Sequence, residues 1–289
     1  MMKNLKKVCK LLSIVLLGLI LVQGCNPNKK KSDKKEVLIL YPNWAEGIAY
    51  TYLAKVALDD MGYVPEVKPI EPGPIYASLA KGDADLFLDA WLPNTHKDYW
   101  EKYGSRLDKI GESFSGGTTG IVVPSYVGIN SIEELEAHKD KFEGKIIGIG
   151  SGAGIHANTE KAIEAYGLDF KQITSSGPAM LASLKKGIQR NKWVAITGWK
   201  PHFMWAQYNI KYLEDPKGIF PKDVCTILAR KGFTKDFPEL GEFFGNFNMT
   251  EDQLYSLMAL IEKADSPETA AKEWYQKNKA IVQAWMPKK

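Results

Sequence analysis

The chain is poor in the residues that bind metals or form crosslinks. Of its 289 residues, four are histidine and three are cysteine. His96, His138, His156 and His202 are scattered, and no cysteine pair stands at metal-ligand spacing, which argues against a structural zinc site. Cys9 lies inside the first apolar run and Cys25 just after it, so Cys225 stands alone and no internal disulfide is expected. No later run is long and apolar enough to cross a bilayer. There is no Gly-x-Ser-x-Gly stretch, so a hydrolase built on His202 and a carboxylate would lack a recognisable nucleophile. Net charge is also small: 38 Lys+Arg against 34 Asp+Glu give +4.

That charge is concentrated at the N-terminus. Lys3, Lys6, Lys7 and Lys10 precede the apolar run Leu11 to Val22, the pattern of a secretory signal over residues 1–24. The run ends Val22-Gln23-Gly24-Cys25, which resembles a bacterial lipoprotein processing site with Cys25 as the lipidated residue. Residues 25–36 hold five lysines against Asp33 and Glu36 and nothing apolar enough for a core, so they read as a solvated tether. Without signal and tether, the folded part carries about −3, and nucleic-acid binding loses its electrostatic basis. The expected location is outside the cytoplasm, on a lipid anchor.

From Val37 the pattern is an alternation. Apolar strand runs at Val37–Tyr41, Val64–Ile70 and Leu86–Leu88 are separated by helical spacing at Ile48–Met61 and Ile75–Leu79. A second set follows: strands at Thr119–Pro124, Lys145–Gly150, Phe170–Thr174 and Val194–Gly198, with helices between. Ser131 with Glu134 and Thr250 with Gln253 are capping boxes, and Ser266-Pro267-Glu268 opens a last helix. Alternation of this kind implies mainly parallel sheets flanked by helices, in two successive α/β units.

Three tryptophans stand at ends of strand runs: Pro42-Asn43-Trp44-Ala45-Glu46-Gly47, Asp89-Ala90-Trp91-Leu92-Pro93 and Gly198-Trp199-Lys200-Pro201-His202. Ligands in open α/β folds sit at carboxyl ends of strands. Indole faces attract a bulky, poorly hydrated cation, and one desolvated contact contributes about 2 kcal/mol. The helix opening at Glu46-Gly47-Ile48 offers unpaired N–H groups for an anion, and His202 could add a donor. A cation cage beside an anion site describes a small zwitterion.

On these stretches, with Thr95-His96, Gly152-Ala153-Gly154-Ile155 and Leu213-Glu214-Asp215-Pro216, the chain resembles the substrate-binding proteins of glycine betaine/choline ABC transporters. The resemblance implies a two-lobed periplasmic-binding-protein fold of the type II-like kind. One lobe would hold residues 37–122 and 215–289, the other 123–214. It further implies a quaternary ammonium group boxed by Trp44, Trp91 and Trp199. A carboxylate would be held by His202 and the N–H groups of the Glu46, Gly47 and Ile48 segment. Choline binders use an acid near the first tryptophan, where Glu46 stands, so choline or carnitine is the alternative ligand. Family members often carry Tyr near Phe114 to Thr119; this chain has only Phe114. A membrane permease and its ATPase are the implied partners, and neither enzymatic activity nor a cofactor is expected. A sensory lipoprotein without a transporter is the other reading.

The remaining features read as structure. Gly148 to Gly154 superficially suggests a dinucleotide loop, but Asp169 precedes the next strand rather than ending it. Asp83, Asp85 and Asp89 flank a strand and a turn, with Asp89 a support for the cleft. His96 and His156 read as polar structural residues. Trp100, Trp193, Trp205, Trp274 and Trp285 are assigned to packing, as is the series Leu254, Leu257, Met258 and Ile261.

Overall fold

The computed structural model describes residues 35–288. The expected signal, Cys25 and most of the expected tether lie outside them. Glu36, read as the tether's last residue, is instead the first residue of strand β1 (Glu36–Tyr41), paired with Val64.

The first unit follows the alternation closely. β1 leads through Trp44 into α1 (Ala45–Asp60), which buries Tyr50, Leu53, Ala54 and Ala57 against the sheet. Gly62, at φ 79°, turns the chain back into β2 (Val64–Pro69), since that left-handed conformation suits a residue without Cβ. α2 (Pro72–Lys81) starts on a proline and stops at left-handed Gly82. β3 (Leu86–Leu92) is buried along its whole length, as a central strand should be. A short α3 (Lys97–Tyr103) follows.

β4 (Leu107–Pro124) has 18 residues, three times the length that its apolar end Thr119–Pro124 announces. Its first part, Leu-Asp-Lys-Ile-Gly-Glu-Ser, is polar and glycine-containing, because it is a bulged strand that follows β9 through three register shifts. Gly111 sits where a Cβ would lie 2.1 Å from the Phe244 carbonyl oxygen, so only glycine lets α8 pack there.

In the second unit the Ser131–Glu134 capping box forms, but it opens a 3-10 turn (Ile132–Glu134) rather than an α-helix. β5 (Lys145–Ile147), α4 (Gly154–Ala165), β6 (Lys171–Ile173), α5 (Gly177–Gln189) and β7 (Ala195–Lys200) then alternate. α6 (Met204–Gln207) and β8 (Ile210–Tyr212) lead to β9 (Asp223–Arg230). The C-terminal part is helical: α7 (Phe233–Asp236), α8 (Pro238–Asn246), α9 (Glu251–Ile261), α10 (Pro267–Lys277) and α11 (Lys279–Gln283). The Thr250–Gln253 capping box opens α9, and the Ser266 side chain caps α10.

The strands run in the order β2-β1-β3-β9-β4-β7-β5-β6, with β8 paired to β4. The two outer triplets, β2-β1-β3 and β7-β5-β6, are parallel, as the alternation requires. The middle is antiparallel: β9 pairs with β3 and β4, and β4 with β7 and β8. A mainly parallel reading therefore holds for the outer strands only. β9 arrives from the second unit and inserts beside β3, so it runs against its neighbours. β4 serves two sheets, pairing with β9 over Leu107–Gly117 and with β7 and β8 over Thr118–Pro124. The fold is α/β, with a mixed, curled sheet and flanking helices.

Asp85 ties the edge of the first sheet together. Its Oδ2 accepts from the Leu38 N–H at 2.8 Å and its Oδ1 from Arg230 Nε at 2.7 Å. Asp85→Ala should therefore lower stability by about 2 kcal/mol, read as a lower urea midpoint, because it leaves a strand N–H unpaired and takes one of two carboxylates, Asp85 and Asp236, from the half-buried Arg230 guanidinium.

Candidate functional site

A cleft with about 260 Å³ of empty space, part of it open to solvent, lies where the two parts of the sheet meet. Trp44, Trp91 and Trp199 all line it. Trp91 and Trp199 are each 3% exposed and Trp44 is half-buried. Trp44 is the residue just before α1, and Trp91 and Trp199 are the last residues but one of β3 and β7. Trp91 and Trp199 each precede a cis X–Pro bond, Leu92–Pro93 and Lys200–Pro201. Trp91 also packs against Gly117 of β4, where a Cβ would come within 2.8 Å of the indole. Trp205, assigned to packing, donates its Nε1–H to the Trp199 carbonyl at 2.7 Å and so buttresses that wall.

Two buried acids orient two of the indoles. Trp91 Nε1–H donates to Asp89 Oδ1 at 3.0 Å, and Trp199 Nε1–H donates to Glu46 Oε2 at 2.9 Å. Neither acid has a lysine or arginine ion-pair partner among the described residues. Burial pushes Glu46 up to about 8, and burial with the neighbouring Glu46 charge holds Asp89 well above the usual carboxylate range. Glu46 Oε1 is buried without a hydrogen-bond partner in the protein.

The polar side of the cavity is made of donors. His96, read from sequence as structural, lines it together with Thr95, Thr119, Gly154 and Ile155. The Trp91 N–H donates to His96 Nδ1 at 3.1 Å, so Nδ1 is an acceptor and the proton resides on Nε2. That Nε2–H is buried and has no partner in the protein, and the Thr119 hydroxyl is in the same condition. Burial keeps His96 neutral, with a pKa of about 3. Gly154 and Ile155 are the first two residues of α4; Ala153 N–H is bonded to Gly150 and His156 N–H to Ala153, which leaves these two amides without an intrahelical acceptor. A helix N-terminus with two free amides favours an anion.

The residues of the expected carboxylate site lie elsewhere. His202 lines the larger adjoining cavity of about 960 Å³, with Trp44 and Trp199 shared between the two. Its Nδ1 accepts from the Met204 N–H at 3.0 Å. Ile48 lines that second cavity too, and its N–H is already bonded to the Trp44 carbonyl at 2.9 Å, so it is not a free donor. Gly47 sits against Asp89, where a Cβ would lie 2.9 Å from Oδ2. Glu46 reaches the cage with its side chain. Phe114 is buried in the core and is not among the cage residues. The aromatic part was thus legible from the strand-end tryptophans; the donor part was missed, although His96 stands five residues beyond Trp91 in a stretch already singled out.

An α/β fold with an aromatic, donor-edged cavity against its curled sheet defines a binding protein for a small solute. The comparisons narrow this. The substrate-binding domain of the ABC-type glycine betaine transport system matches residues 35–277, and the chain belongs to that family. Lactococcal OpuAC, crystallised closed with glycine betaine, is similar at 35% identity and TM-score 0.84, over 88% of this chain and all of that one. A glycine betaine/L-proline-binding protein from Borrelia burgdorferi is similar at 37% identity and TM-score 0.85, over 88% of this chain and 97% of its own. A choline binding protein in complex with choline reaches 26% identity and TM-score 0.81, over 87% and 91%. A glycine betaine/carnitine transport binding protein of Listeria monocytogenes is 35% identical over 145 residues, 48% of each chain, so the chain spans about half the length of that curated relative in the match.

Two outcomes follow from this geometry. A Cβ at Gly154 would lie 1.9 Å from the Thr95 carbonyl oxygen. Gly154→Ala should therefore keep the fold, with far-UV circular dichroism unchanged, but abolish ligand binding by holding the α4 N-terminus off the cavity. The second concerns pH. Glu46 and Asp89 have raised values, so their contribution is present at low pH and is lost as pH rises from about 4.5 towards 8. His96 and His202 have values lowered to about 3, so their contribution is lost as pH falls from 6.5. The ligand-free protein should have its highest melting temperature at about pH 5–6.

Proposed function

We propose that this chain is the extracytoplasmic ligand-binding component of an ABC importer and that its cavity takes glycine betaine. The observation that carries this is the pairing of an aromatic box with a cluster made of donors. The trimethylammonium group sits between Trp44, Trp91 and Trp199, whose faces replace its weak hydration. The carboxylate meets His96 Nε2–H, the Gly154 and Ile155 amides and the Thr119 hydroxyl, all of which lack protein acceptors. This differs from the sequence expectation, which put the carboxylate on His202 and the amides after Trp44.

The two ends of such a ligand touch different parts of the fold. Trp44, Trp91 and His96 belong to the proposed lobe of residues 37–122 and 215–289; Trp199, Gly154 and Ile155 belong to the proposed lobe 123–214. A ligand that binds both lobes only when they are together favours the closed state by its differential affinity. Closure then presents a composite surface to a membrane permease, which works with an ATPase. The protein itself acts on nothing: it is a solute carrier, not an enzyme. We further propose that it is held at the membrane by lipid on Cys25, after removal of residues 1–24. Choline is the second reading, favoured by the unpartnered Glu46 Oε1 as acceptor for a hydroxyl.

Calorimetry with glycine betaine, choline and carnitine tests the reading. Glycine betaine should bind with quenching or shift of tryptophan fluorescence; no response to any of the three would refute it. Trp91→Ala should weaken binding by about tenfold or more, the loss of one desolvated cation–π wall. His96→Ala should weaken glycine betaine by about tenfold and leave choline nearly unchanged, because only the carboxylate uses that donor. Equal losses for both ligands would move the carboxylate away from His96.

A further inference from the structure

The acids behind the tryptophans are more than anchors for indoles. Glu46 is wholly buried, uses Oε2 for Trp199 and leaves Oε1 free while lining the cage itself. Asp89 is wholly buried as well, but it underlies the cage: it holds Trp91 and faces Gly47, and it does not line the cavity. The groups that face Glu46 are few. They are Asp89 from β3, Cys225 from β9, Tyr50 from its own helix, His96 from the turn after β3, and His202 beyond Trp199. No lysine or arginine is among them. Both histidines are kept neutral by burial, and the thiol and phenol are held in their neutral forms.

We propose that Glu46 is a positioning and specificity-setting residue of the cage, which fixes the Trp199 wall through Oε2, presents Oε1 as counter-charge to the ligand's cation, and gives its proton to solvent when the cation enters. This rests on the reading that the cavity takes a quaternary ammonium ion. A desolvated acid beside a second acid, with no cation near, is more stable protonated. The ligand brings the missing positive charge into the same dry space, and the balance moves to the carboxylate. The carboxylate is then also the stronger acceptor for the Trp199 indole, so the wall tightens as the ligand arrives. Asp89 keeps its proton throughout, because it is shielded from the cage and faces the newly ionised Glu46. A neutral isostere of the ligand, with the quaternary nitrogen replaced by carbon, supplies no charge and releases no proton.

By linkage, any ligand that lowers the pKa of one group binds more tightly as pH rises towards that group's value in the empty site. Glycine betaine does not itself titrate between pH 6 and 9, so the proton can be assigned to the protein. The test is calorimetric titration of the purified chain with glycine betaine in buffers of different ionisation enthalpy, repeated across that range. The expected result is release of up to about one proton near pH 7 and affinity that rises by up to about tenfold per pH unit from about pH 6 towards pH 8. Glu46→Gln keeps an acceptor for Trp199, so it should still bind, release no proton and show a flat profile. Asp89→Asn should still release the proton. Glu46→Ala loses the anchor as well and should bind about tenfold more weakly than Glu46→Gln at pH 6. The wild-type buffer series needs no variant, so it decides the matter even if a variant fails to fold. Glycine betaine binding without proton release, or release that survives in Glu46→Gln, overturns the proposal. Absence of glycine betaine binding to the wild-type chain overturns the underlying reading instead.

Discussion

The cage depends on indole N–H groups tied to carboxylates out of reach of water. A tryptophan wall attracts a cation with its face only if its edge is satisfied and its plane is fixed. Here Trp91 rests on Asp89, two residues before it in the same strand, and Trp199 rests on Glu46, 153 residues away on α1. The first bond is local and sets one wall of one sheet. The second joins β7 to α1, so this wall is held only by a contact between residues far apart in the sequence.

The rest of the fold serves that closeness. β4 runs through both sheets and keeps them in one continuous ladder. Glycines appear where segments approach closely around the cavity: Gly154 against the Thr95 backbone, Gly117 against Trp91. The Tyr99 hydroxyl donates to the Gly152 carbonyl at 2.8 Å across the same seam. Each of these contacts is small, and together they bring the α4 N-terminus within reach of His96. The result is one cavity with tryptophans on one side and unpaired donors on the other. Buried acids at the aromatic end and two buried neutral histidines, His96 at the donor end and His202 beyond Trp199, carry opposite pH penalties, which gives the protein a mildly acidic stability optimum.

Much of this could be read without coordinates, because it depends on short-range patterns. The strand runs, the helix stops at Gly62 and Gly82, and the capping boxes at Ser131 and Thr250 depend on neighbours a few residues apart. The three Trp motifs announced an aromatic site, since each follows an apolar strand run. What the local pattern could not show was which donor faces the cage. His202 and His96 both stand near a motif tryptophan. Only the Trp91 N–H bond to His96 Nδ1 aims Nε2 into the cavity, while the Met204 N–H turns His202 to the neighbouring space. The first part of β4 was likewise hidden: its residues are polar, and it is a strand because β9 pairs with it.

The sequence by itself determined an α/β protein with three tryptophans at strand ends and a family resemblance carried by those stretches. Tertiary structure decided the antiparallel middle of the sheet, the placing of His96 and the α4 N-terminus on the tryptophan-lined cavity and of His202 on its neighbour, and the union of Glu46 with Trp199. The physical reason is distance along the chain. Hydrogen bonds between residues more than a hundred positions apart leave no periodicity in the sequence, and a buried acid is recognised as unusual only when the space around it is known.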